Sequence, residues 1–287
     1  MRRLLLLAIP LAALALTATA TGGRTVAAAS CAKAGLKTVS DGKLTVGTDN
    51  PAYPPWFSGD PPNGSKWKVS DPTSGKGFES AVAFAVAKQL GFSKSDVVWT
   101  YVPFSKSYAP GKKSFDFDIN EISYNPQRAK VVDFSNSYYD VNQAVVVNKG
   151  TPIASVKTVA GLRKYKFGVQ IGTTSYNAIV NDIKPNSKPA VYDTNDKAVF
   201  ALKTKQIDAL VVDLPTAFYV TAVQVPNGKI LGQLDSKTGE HFGMVLKKGN
   251  PLTACVNQAL TKLKANGTLK SIQALWLAKV AGAPVLK

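Results

Sequence analysis

Residues 115–139 read FDFDINEISYNPQRAKVVDFSNSYY, and this stretch decides how the rest of the chain is interpreted. Apolar and polar side chains alternate from Phe115 to Ile119 with a period of two, which predicts a buried β-strand. A polar run from Glu121 to Gln127 ends the alternation and leads to Arg128. A strand followed by a polar turn that carries an arginine is typical of a small-molecule site.

Arg128 is unusual because the chain otherwise prefers lysine: it has 30 lysines and only five arginines. A guanidinium is a rigid planar fork that can hold a carboxylate through two parallel hydrogen bonds, whereas an ammonium is a mobile point charge. From these residues alone, two interpretations stay open. Arg128 either holds a ligand carboxylate or lies at the surface, paired with Asp133.

The first 30 residues are typical of a secretory signal peptide. Two arginines precede an apolar run from Leu4 to Leu16, and small residues follow it. The run is shorter than the ~20 residues that a membrane-spanning helix needs. We therefore expect an exported protein, periplasmic or extracellular and associated with the cell envelope. Cleavage is expected after Ala20 or further on, before Cys31. The composition, 45% hydrophobic and 18% charged, is that of a globular protein.

The chain has two cysteines, Cys31 and Cys255. An even number of exported thiols favours a disulfide between them. A lipid anchor on Cys31 is the second interpretation, although Ala28-Ala29-Ser30 is a poor version of the usual Leu-rich box. Two free thiols are the third. With one histidine and two distant cysteines, His/Cys zinc sites and Ser-His-Asp chemistry are excluded, and we expect neither a metal nor a cofactor.

The formal net charge is +17, and it falls to +14 if Arg2, Arg3 and Arg24 leave with the leader. Such a charge suggests an anionic partner. The lysines are nevertheless spread along the chain and form no arginine-aromatic stripe, so we expect no nucleic-acid binding. A basic surface near an anionic cell envelope is the simpler interpretation.

Strands and helices alternate along the chain, which predicts an α/β protein with parallel sheets. An amphipathic helix from Phe78 to Leu90, ended by Gly91, separates the first two strands. Further helices are expected after Thr174, around Lys197 to Lys203, and twice after Asn250-Pro251. The predicted strands are Lys43–Thr48, Val97–Val102, Phe115–Ile119, Ala144–Asn148, Phe167–Gln170, Ile207–Val212 and His241–Leu246.

Three groups of polar and aromatic residues follow predicted strands, where ligands of open α/β sheets bind. Asp49, Tyr53 and Trp56 follow the first strand; the alternative is that the aromatic rings only cover the core. Gly172 to Ser175 begin a helix and offer backbone N–H groups to an anion, or they merely cap the helix. Asp213 ends a buried strand and either binds a ligand ammonium or caps the next helix.

The order of these parts resembles the bacterial extracellular solute-binding proteins of family 3, the amino-acid-binding proteins of ABC importers. Residues 124–135, YNPQRAKVVDFS, with Tyr138-Tyr139 resemble that family's ITPERAKxVDFSxPYY. Further similar segments are Lys43–Trp56, Gly77–Glu79, Gly168–Thr174, which resembles GVQxGTT, and Asp208–Asp213, which resembles DAVVxD.

The resemblance implies a two-lobed, type II periplasmic-binding fold with two hinge crossings, near Tyr139–Asn142 and Lys237–Phe242. Lobe 1 would comprise residues 31–141 and 241–287, and lobe 2 residues 142–240. It also implies the site residues. Arg128 would hold the α-carboxylate with backbone N–H groups of Ser123 and Thr173, beside Thr174. Asp213 would hold the α-ammonium with help from Ser123 and the Glu121 carbonyl. Tyr53 and Trp56 would wall the side chain, next to Asp49.

Glu121 departs from the family pattern, in which small residues are common at this point. A carboxylate there either selects a cationic or hydrogen-bonding side chain or points to solvent. We expect a monomeric, non-catalytic receptor that closes around a free amino acid, polar or cationic, and is read by an ABC permease. The alternatives are an enzyme on the same fold, similar to a cyclohexadienyl dehydratase and with Glu121 as its base, or an amino-acid sensor.

Overall fold

In the part of the chain that the structure describes, two five-stranded sheets and one two-stranded ribbon form the framework. The computed structural model describes residues 31–235, 239–278 and 282–287. Within it, Cys31–Lys287 forms one compact unit. The predicted signal peptide, with its cleavage site, lies outside the described residues. So does the start of the second predicted crossing, at Lys237.

The first sheet has the order β2-β1-β3-β12-β4. β1 pairs in parallel with β2 and β3, as expected for strands joined by a crossover helix, and β12 runs antiparallel to β3 and β4. All five residues of β1 are buried. Its strands are β1 (Leu44–Thr48), β2 (Val97–Tyr101), β3 (Phe117–Asp118), β4 (Val132–Phe134) and β12 (Val245–Lys247).

The second sheet has the order β10-β6-β9-β7-β8. β7 pairs in parallel with β8 and β9, whereas β6 is antiparallel to β9 and β10. The six residues of β6 are buried, which its unbroken apolar run indicates. Its strands are β6 (Gln143–Asn148), β7 (Phe167–Gln170), β8 (Ala190–Tyr192), β9 (Ala209–Asp213) and β10 (Gly228–Gln233).

Helices cover both sheets and supply the core with aliphatic and aromatic side chains. The helices are α1 (Phe78–Gln89), α2 (Phe104–Ser107), α3 (Pro126–Ala129), α4 (Val159–Leu162), α5 (Thr174–Ala178), α6 (Asn195–Lys203), α7 (Leu214–Tyr219), α8 (Leu252–Ala265) and α9 (Thr268–Leu277). Short 3₁₀ turns add Lys33–Gly35, Pro72–Ser74, Lys94–Asp96 and Pro152–Ser155. No helix in the described part of the chain is both long and apolar enough to span a membrane.

Gly77 fixes the position of helix α1 against the loop that follows β1. Its φ is +93°, and a Cβ at this position would meet the backbone of Trp56 and Phe57. The first turn of α1 donates back to the same loop, from Glu79 N to Trp56 O at 2.9 Å. The Glu79 side chain that follows is 0% exposed.

The chain passes between the sheets through a short antiparallel ribbon of β5 (Tyr139–Asp140) and β11 (His241–Phe242). Both strands lie where the resemblance implies crossings. Residues near the carboxyl end of the described chain also return to the second sheet. Gln233 N donates to Pro284 O at 2.8 Å, and Leu286 N donates to Gln233 O at 2.9 Å.

Three predicted elements differ from those observed. The strand expected over His241–Leu246 is two strands, because the chain leaves the ribbon and joins the first sheet around Met244. The strand expected over Phe115–Ile119 is reduced to β3, although Asp116 N and Ile119 N still donate to β1 at 2.8 and 3.0 Å. The helix expected after Thr174 is α5 followed by a π-helical turn over Ile179–Ile183.

Cys31 and Cys255 form a disulfide with their Cα atoms 5.3 Å apart, which confirms the predicted pairing. It ties the first described residue to helix α8. Because the bond occupies the Cys31 sulfur, the structure is incompatible with a lipid on that atom. The alternative of two free thiols is wrong for the same reason.

Candidate functional site

A cavity of about 240 Å³ opens where the carboxyl ends of β1, β3, β7 and β9 meet. This volume is below the range of ~300–1,000 Å³ typical of pockets for drug-sized ligands, so it suits a small molecule. All nine site residues predicted from the sequence line it: Asp49, Tyr53, Trp56, Glu121, Ser123, Arg128, Thr173, Thr174 and Asp213.

Arg128 lies in helix α3 and is only 8% exposed. Its Nη1 donates to Ser123 O and its Nη2 to Gly172 O, each at 2.7 Å. The guanidinium stacks on Tyr108, with its central carbon 4.1 Å from the ring centre, and it also faces Phe104. These contacts hold the fork in one plane at the cavity wall.

The surface pairing of Arg128 with Asp133 is not observed. Asp133 is bound instead by Lys248, 3.3 Å away, and by the backbone N–H groups of Gly249 and Asn250. That carboxylate therefore holds the turn before α8. The alternative in which Arg128 is a surface ion-pair partner is wrong, because the side chain is buried and turned into the cavity.

The turn between β7 and α5 brings backbone groups to the same wall. Gly172 has a φ of +74°, and a Cβ there would collide with the Tyr108 hydroxyl, so this position requires glycine. Thr173 is the N-cap residue of α5, but its hydroxyl donates to Gln170 O at 2.9 Å and makes no cap hydrogen bond. Plain side-chain capping by Thr173 therefore does not explain this segment.

Asp213 is the residue before α7, yet its carboxylate makes no cap hydrogen bond. It accepts a hydrogen bond from Gln143 Nε2 at 2.7 Å. The same amide lies 3.1 Å from Glu240, which also accepts from Ser123 Oγ at 2.6 Å. Burial and the neighbouring Glu240 hold the pKa of Asp213 well above its usual value, whereas Gln143 and Arg128 lower it. A ligand ammonium placed here would relieve that cost.

Residues from both sheets form one connected set around Arg128, which we call the Arg128 network. The hydroxyl of Thr174 approaches that of Ser123 to 3.3 Å, and Ser175 Oγ donates to Gln143 at 2.6 Å. The Arg128 network comprises Tyr108, Ser123, Arg128, Gln143, Gly172, Thr174, Ser175, Asp213 and Glu240.

A second set, the Glu121 network, also crosses between the sheets. Trp56 Nε1 donates to Thr216 Oγ1 at 2.9 Å, and Thr216 Oγ1 donates to Glu121 Oε2 at 2.7 Å. Tyr53 donates to the two carboxylate oxygens of Asp196, 2.7 and 2.8 Å away. The Glu121 network comprises Tyr53, Trp56, Glu79, Glu121, Tyr138, Asp196 and Thr216.

Glu121 is held in an unusual backbone conformation. Its φ is +53°, in the left-handed region that costs a non-glycine residue on the order of 1–3 kcal/mol. The Glu121 N–H donates to Glu79 Oε1 at 2.7 Å, and the Tyr138 hydroxyl donates to the same oxygen. The alternative in which Glu121 points to solvent is wrong, because its side chain is directed to Thr216 at the cavity.

The cavity wall carries more acidic than basic side chains, although the chain as a whole has a net charge of +17. Five carboxylates line it and Arg128 is the single cation among the described lining residues: the acids are Asp49, Glu121, Asp193, Asp196 and Asp213. Asp193 is exposed and paired with Lys197 at 2.7 Å, so it belongs to the rim. Burial raises the pKa of Asp49, and burial with the nearby Glu79 raises that of Glu121 well above normal.

Several site residues were missed by the sequence reasoning. Gln143, Asp196 and Thr216 carry no signal of their own, because they come from segments whose relation is visible only in the fold. Glu79 and Glu240 had a signal. The chain has three glutamates, and all three meet at or beneath this cavity. The scarcity argument that singled out Arg128 applies equally to them.

No group of three or more His, Cys, Asp or Glu side chains in residues 31–235, 239–278 and 282–287 is arranged to hold a metal ion. The single histidine, His241, stacks on Tyr124 in the ribbon region, with ring centres 5.3 Å apart. The polar groups at the cavity are therefore carboxylates, hydroxyls, amides and one guanidinium.

Comparison with known protein families identifies one match. The model of the bacterial extracellular solute-binding proteins, family 3, matches residues 44–279. Among curated proteins, the chain is 28% identical over 214 residues to the ABC transporter glutamine-binding protein GlnH of Bacillus subtilis (strain 168). That alignment covers 73% of this chain and 76% of the relative.

Solved structures of similar shape include an ancestral arginine-binding protein bound to arginine. It is 32% identical with a TM-score of 0.66, covering 82% of this chain and 98% of its own. Another is the ancestral amino-acid-binding protein AncCDT-1, a precursor of cyclohexadienyl dehydratase. It is 29% identical with a TM-score of 0.65, and the match covers 82% of this chain and 95% of its own.

Proposed function

The chain belongs to the bacterial extracellular solute-binding proteins, family 3, and we propose that it is a receptor that binds a free cationic amino acid. The predicted two-lobed periplasmic-binding fold is confirmed by the similarity to solved amino-acid-binding proteins. The ligand class is our inference from the cavity. The observation that carries it is the excess of carboxylates over cations at the cavity wall, where four of the five carboxylates are half-buried.

Every free amino acid brings one carboxylate and one ammonium. We assign the carboxylate to Arg128, assisted by backbone N–H groups of Ser123 and Thr173 beside Thr174, and the ammonium to Asp213. After this pairing, Asp49, Glu121 and Asp196 still face the cavity without a described cation among its lining residues. A buried carboxylate is costly unless it meets a positive charge, so a cationic side chain satisfies the wall better than a neutral one.

The aromatic residues define the shape of the side-chain space. Tyr53 packs on Tyr219, with ring centres 5.6 Å apart, and its hydroxyl is fixed by Asp196. Trp56 is 1% exposed and packs on Phe78 in the core while also lining the cavity. Trp56 therefore both lines the cavity and packs in the core, the two interpretations that the sequence left open. A planar cation such as guanidinium can stack on such rings.

We propose that closure of two lobes around the ligand is the signal. We keep the predicted division, residues 31–141 with 241–287 as lobe 1 and residues 142–240 as lobe 2, although Pro284 and Leu286 pair with Gln233 of the second sheet. Both networks make hydrogen bonds between the two sheets, such as Tyr53 to Asp196 and Arg128 to Gly172 O. A ligand that contacts both sides favours the closed form through its differential affinity.

The proposed setting follows the family. We place the protein outside the cytoplasm, at the cell envelope, as a monomer whose closed form is recognised by an ABC permease. The predicted leader and the disulfide between Cys31 and Cys255 support export. A role as a sensor uses the same binding event and differs only in the partner that reads it.

Isothermal titration calorimetry with purified mature protein tests the proposal. L-arginine and L-lysine are expected to bind more tightly than L-glutamine, and small-angle scattering is expected to show closure with each ligand that binds. Mass spectrometry of ligand retained through gentle purification provides an independent identification. Absence of binding across a full panel of amino acids would remove the basis of the proposal.

An enzymatic function is the second candidate, favoured by two observations. The chain is similar to a precursor of cyclohexadienyl dehydratase, and Glu121 is a half-buried carboxyl at the cavity with a raised pKa, as expected for a general acid or base. We propose that the chain is not catalytic. Turnover of a prephenate-like substrate that disappears in Glu121→Gln would overturn this.

A further inference from the structure

Glu79 is a buried carboxyl that the proposed binding role leaves unused, although it contacts Glu121, the residue expected to read the ligand side chain. It lies in the first turn of α1 and is 0% exposed. Its Oε1 accepts two hydrogen bonds, from Glu121 N at 2.7 Å and from the Tyr138 hydroxyl. Its Oε2 is fully buried and has no hydrogen-bond partner among the described residues.

The contact with the Glu121 backbone has a mechanical consequence. Glu121 is in the left-handed conformation, and its N–H is satisfied by Glu79 and by no backbone acceptor that the structure shows. The conformation persists only where its surroundings hold it in place. Glu79 holds the Glu121 backbone through the hydrogen bond from its N–H. Thr216, in α7, holds the Glu121 carboxyl, with Thr216 Oγ1 2.7 Å from Glu121 Oε2. Glu79 thereby directs the Glu121 carboxyl to the cavity.

The two carboxyls also lack a counter-ion. Every hydrogen bond that the structure shows to them comes from a hydroxyl or a backbone N–H, and no lysine or arginine forms a salt bridge with either in the described residues. A fully buried carboxyl and a half-buried one, joined through one backbone amide, cannot both carry a charge at low cost. A proton is the cation available to them before a ligand binds.

We propose that Glu79 is a positioning residue for Glu121 and that the two carboxyls together hold a proton, which the cationic side chain of the ligand displaces. This inference rests on the proposed function and adds a regulatory property to it. Binding of a cationic amino acid releases a proton from the pair, whereas binding of a neutral one leaves the pair protonated. Affinity for the cation therefore increases with pH until the ligand-free pair is ionised.

Burial and other titratable groups act on the pair, and their net effect raises the pKa of both carboxyls, as a bound proton requires. Burial raises the pKa of Glu79 to about 7, against the opposing hydrogen bonds from Tyr138 and Glu121. Both pair members also feel nearby carboxylates, which disfavour a second negative charge. The groups that face the pair are Asp49 at the end of β1, Asp118 in β3, Tyr138 before β5 and Asp213 at the end of β9.

Proton counting by calorimetry tests the proposal. The heat of binding of L-arginine and of L-glutamine is measured between pH 5 and 8 in buffers of different ionisation enthalpy, and the number of protons released is derived for each ligand. Any proton displaced at Asp213 by the α-ammonium is common to both ligands. The difference in proton release between the two ligands therefore measures the proton held by Glu79 and Glu121. We expect arginine to release more protons than glutamine, approaching about one more in the lower part of this pH range.

Four variants separate a positioning role from a merely structural one. Glu79→Gln keeps an acceptor but removes the charge, so the extra release should move to lower pH by about one unit or more. Tyr138→Phe removes a donor that favours ionised Glu79, so the release should extend to higher pH. Glu121→Gln should abolish the extra release. Asp118→Asn, which removes a neighbouring buried carboxyl, should retain it.

The outcomes distinguish this inference from the function on which it rests. If wild-type protein binds neither ligand nor any other amino acid, both fail. If arginine binds but releases no more protons than glutamine, or if Glu79→Gln and Tyr138→Phe leave the pH range unchanged, only this inference is overturned. Loss of the release in Asp118→Asn alone would place the proton on Asp118 and also contradict it. Should Glu79→Gln fail to fold, Tyr138→Phe decides.

Discussion

The two polar networks at the cavity are built in different ways. The Arg128 network combines backbone acceptors, Ser123 O and Gly172 O for the guanidinium, with side-chain contacts such as that of Gln143 with Asp213. The Glu121 network reaches the cavity through side chains, from Trp56 through Thr216 to Glu121, and the only backbone group bound by its described side chains is the Glu121 N–H, which donates to Glu79. The first offers the groups that any amino acid needs. The second offers groups that only some side chains can use.

This difference assigns affinity and selectivity to separate parts of the cavity. A change in the Arg128 network should weaken every amino acid by a similar factor, because it alters contacts with atoms that all amino acids share. A change in the Glu121 network should act on cationic ligands and spare neutral ones. Substitutions that violate this pattern would break the comparison.

The largest effect is expected from Arg128→Lys. The variant keeps the charge but loses the fork, and truncating a buried charged partner costs about 2–5 kcal/mol, so the affinity for arginine and for glutamine should each fall roughly 30-fold or more. Titration calorimetry measures both. Arg163→Lys is the matched control, since Arg163 donates to Ile183 O and does not line the cavity. Unchanged affinity in Arg128→Lys would remove Arg128 from the site.

A smaller and selective effect is expected from Glu121→Gln. The loss of one charged contact costs about 1.5–3 kcal/mol, so arginine should bind roughly 10- to 100-fold more weakly near pH 8, while glutamine changes by less than about threefold. Asp182→Asn, which removes an exposed carboxyl outside the cavity lining, controls for net charge. Equal losses for the two ligands would mean that Glu121 does not read the side chain.

A still smaller effect is expected from Thr216→Val. The substitution keeps the shape but removes the hydroxyl between Trp56 and Glu121, and a neutral hydrogen bond contributes about 1 kcal/mol, so arginine affinity should fall about fivefold. Thr221→Val is the control, because Thr221, in the π-helical turn that follows α7, donates in the described structure only to backbone carbonyls of α7 such as Ala217 O. Equal binding by Thr216→Val and wild type would show that the second sheet does not help to orient Glu121.

The last effect concerns stability without ligand and not affinity. The pKa of Glu79 is raised by burial to about 7, so its favourable contribution is complete below about pH 4.5 and is lost as the pH rises through 7. Glu79→Gln removes this loss. The variant should match wild type near pH 4.5 and be more stable at pH 8, by up to about 3 kcal/mol.

Thermal unfolding across this range measures the difference in melting temperature. We expect it to be about 5 °C at pH 8. A difference that is constant with pH would show that Glu79 does not change its protonation there.

The two networks also differ in how far the sequence predicts them. Arg128, Thr173 and Asp213 were accessible because each follows a predicted strand or stands out by rarity, and strand ends meet at one edge of a sheet. Asp196 and Thr216 were not, because their partners lie 143 and 95 residues away along the chain. Contacts of that separation depend on how the two sheets face each other, which local patterns do not encode.

The fold shows the same division between local and long-range information. The periodicity of α1 and its glycine at residue 91 predict the helix and its end, and the structure has the helix over Phe78–Gln89 with a φ of +86° at Gly91. The break in the strand predicted over His241–Leu246 was not predictable. It depends on two different pairings. Phe242 pairs with Tyr139 in the ribbon, whereas Val245 pairs with Phe134 in the first sheet.

The most direct test of the central claim, that the Glu121 network selects a cationic side chain, is a comparison of L-arginine with L-citrulline by titration calorimetry at pH 8. Citrulline has nearly the same shape but a neutral ureido group in place of the guanidinium. We expect arginine to bind at least about 10-fold more tightly in wild-type protein, and the two ligands to converge in Glu121→Gln. Equal affinities in wild-type protein, or tighter binding of citrulline, would contradict the claim.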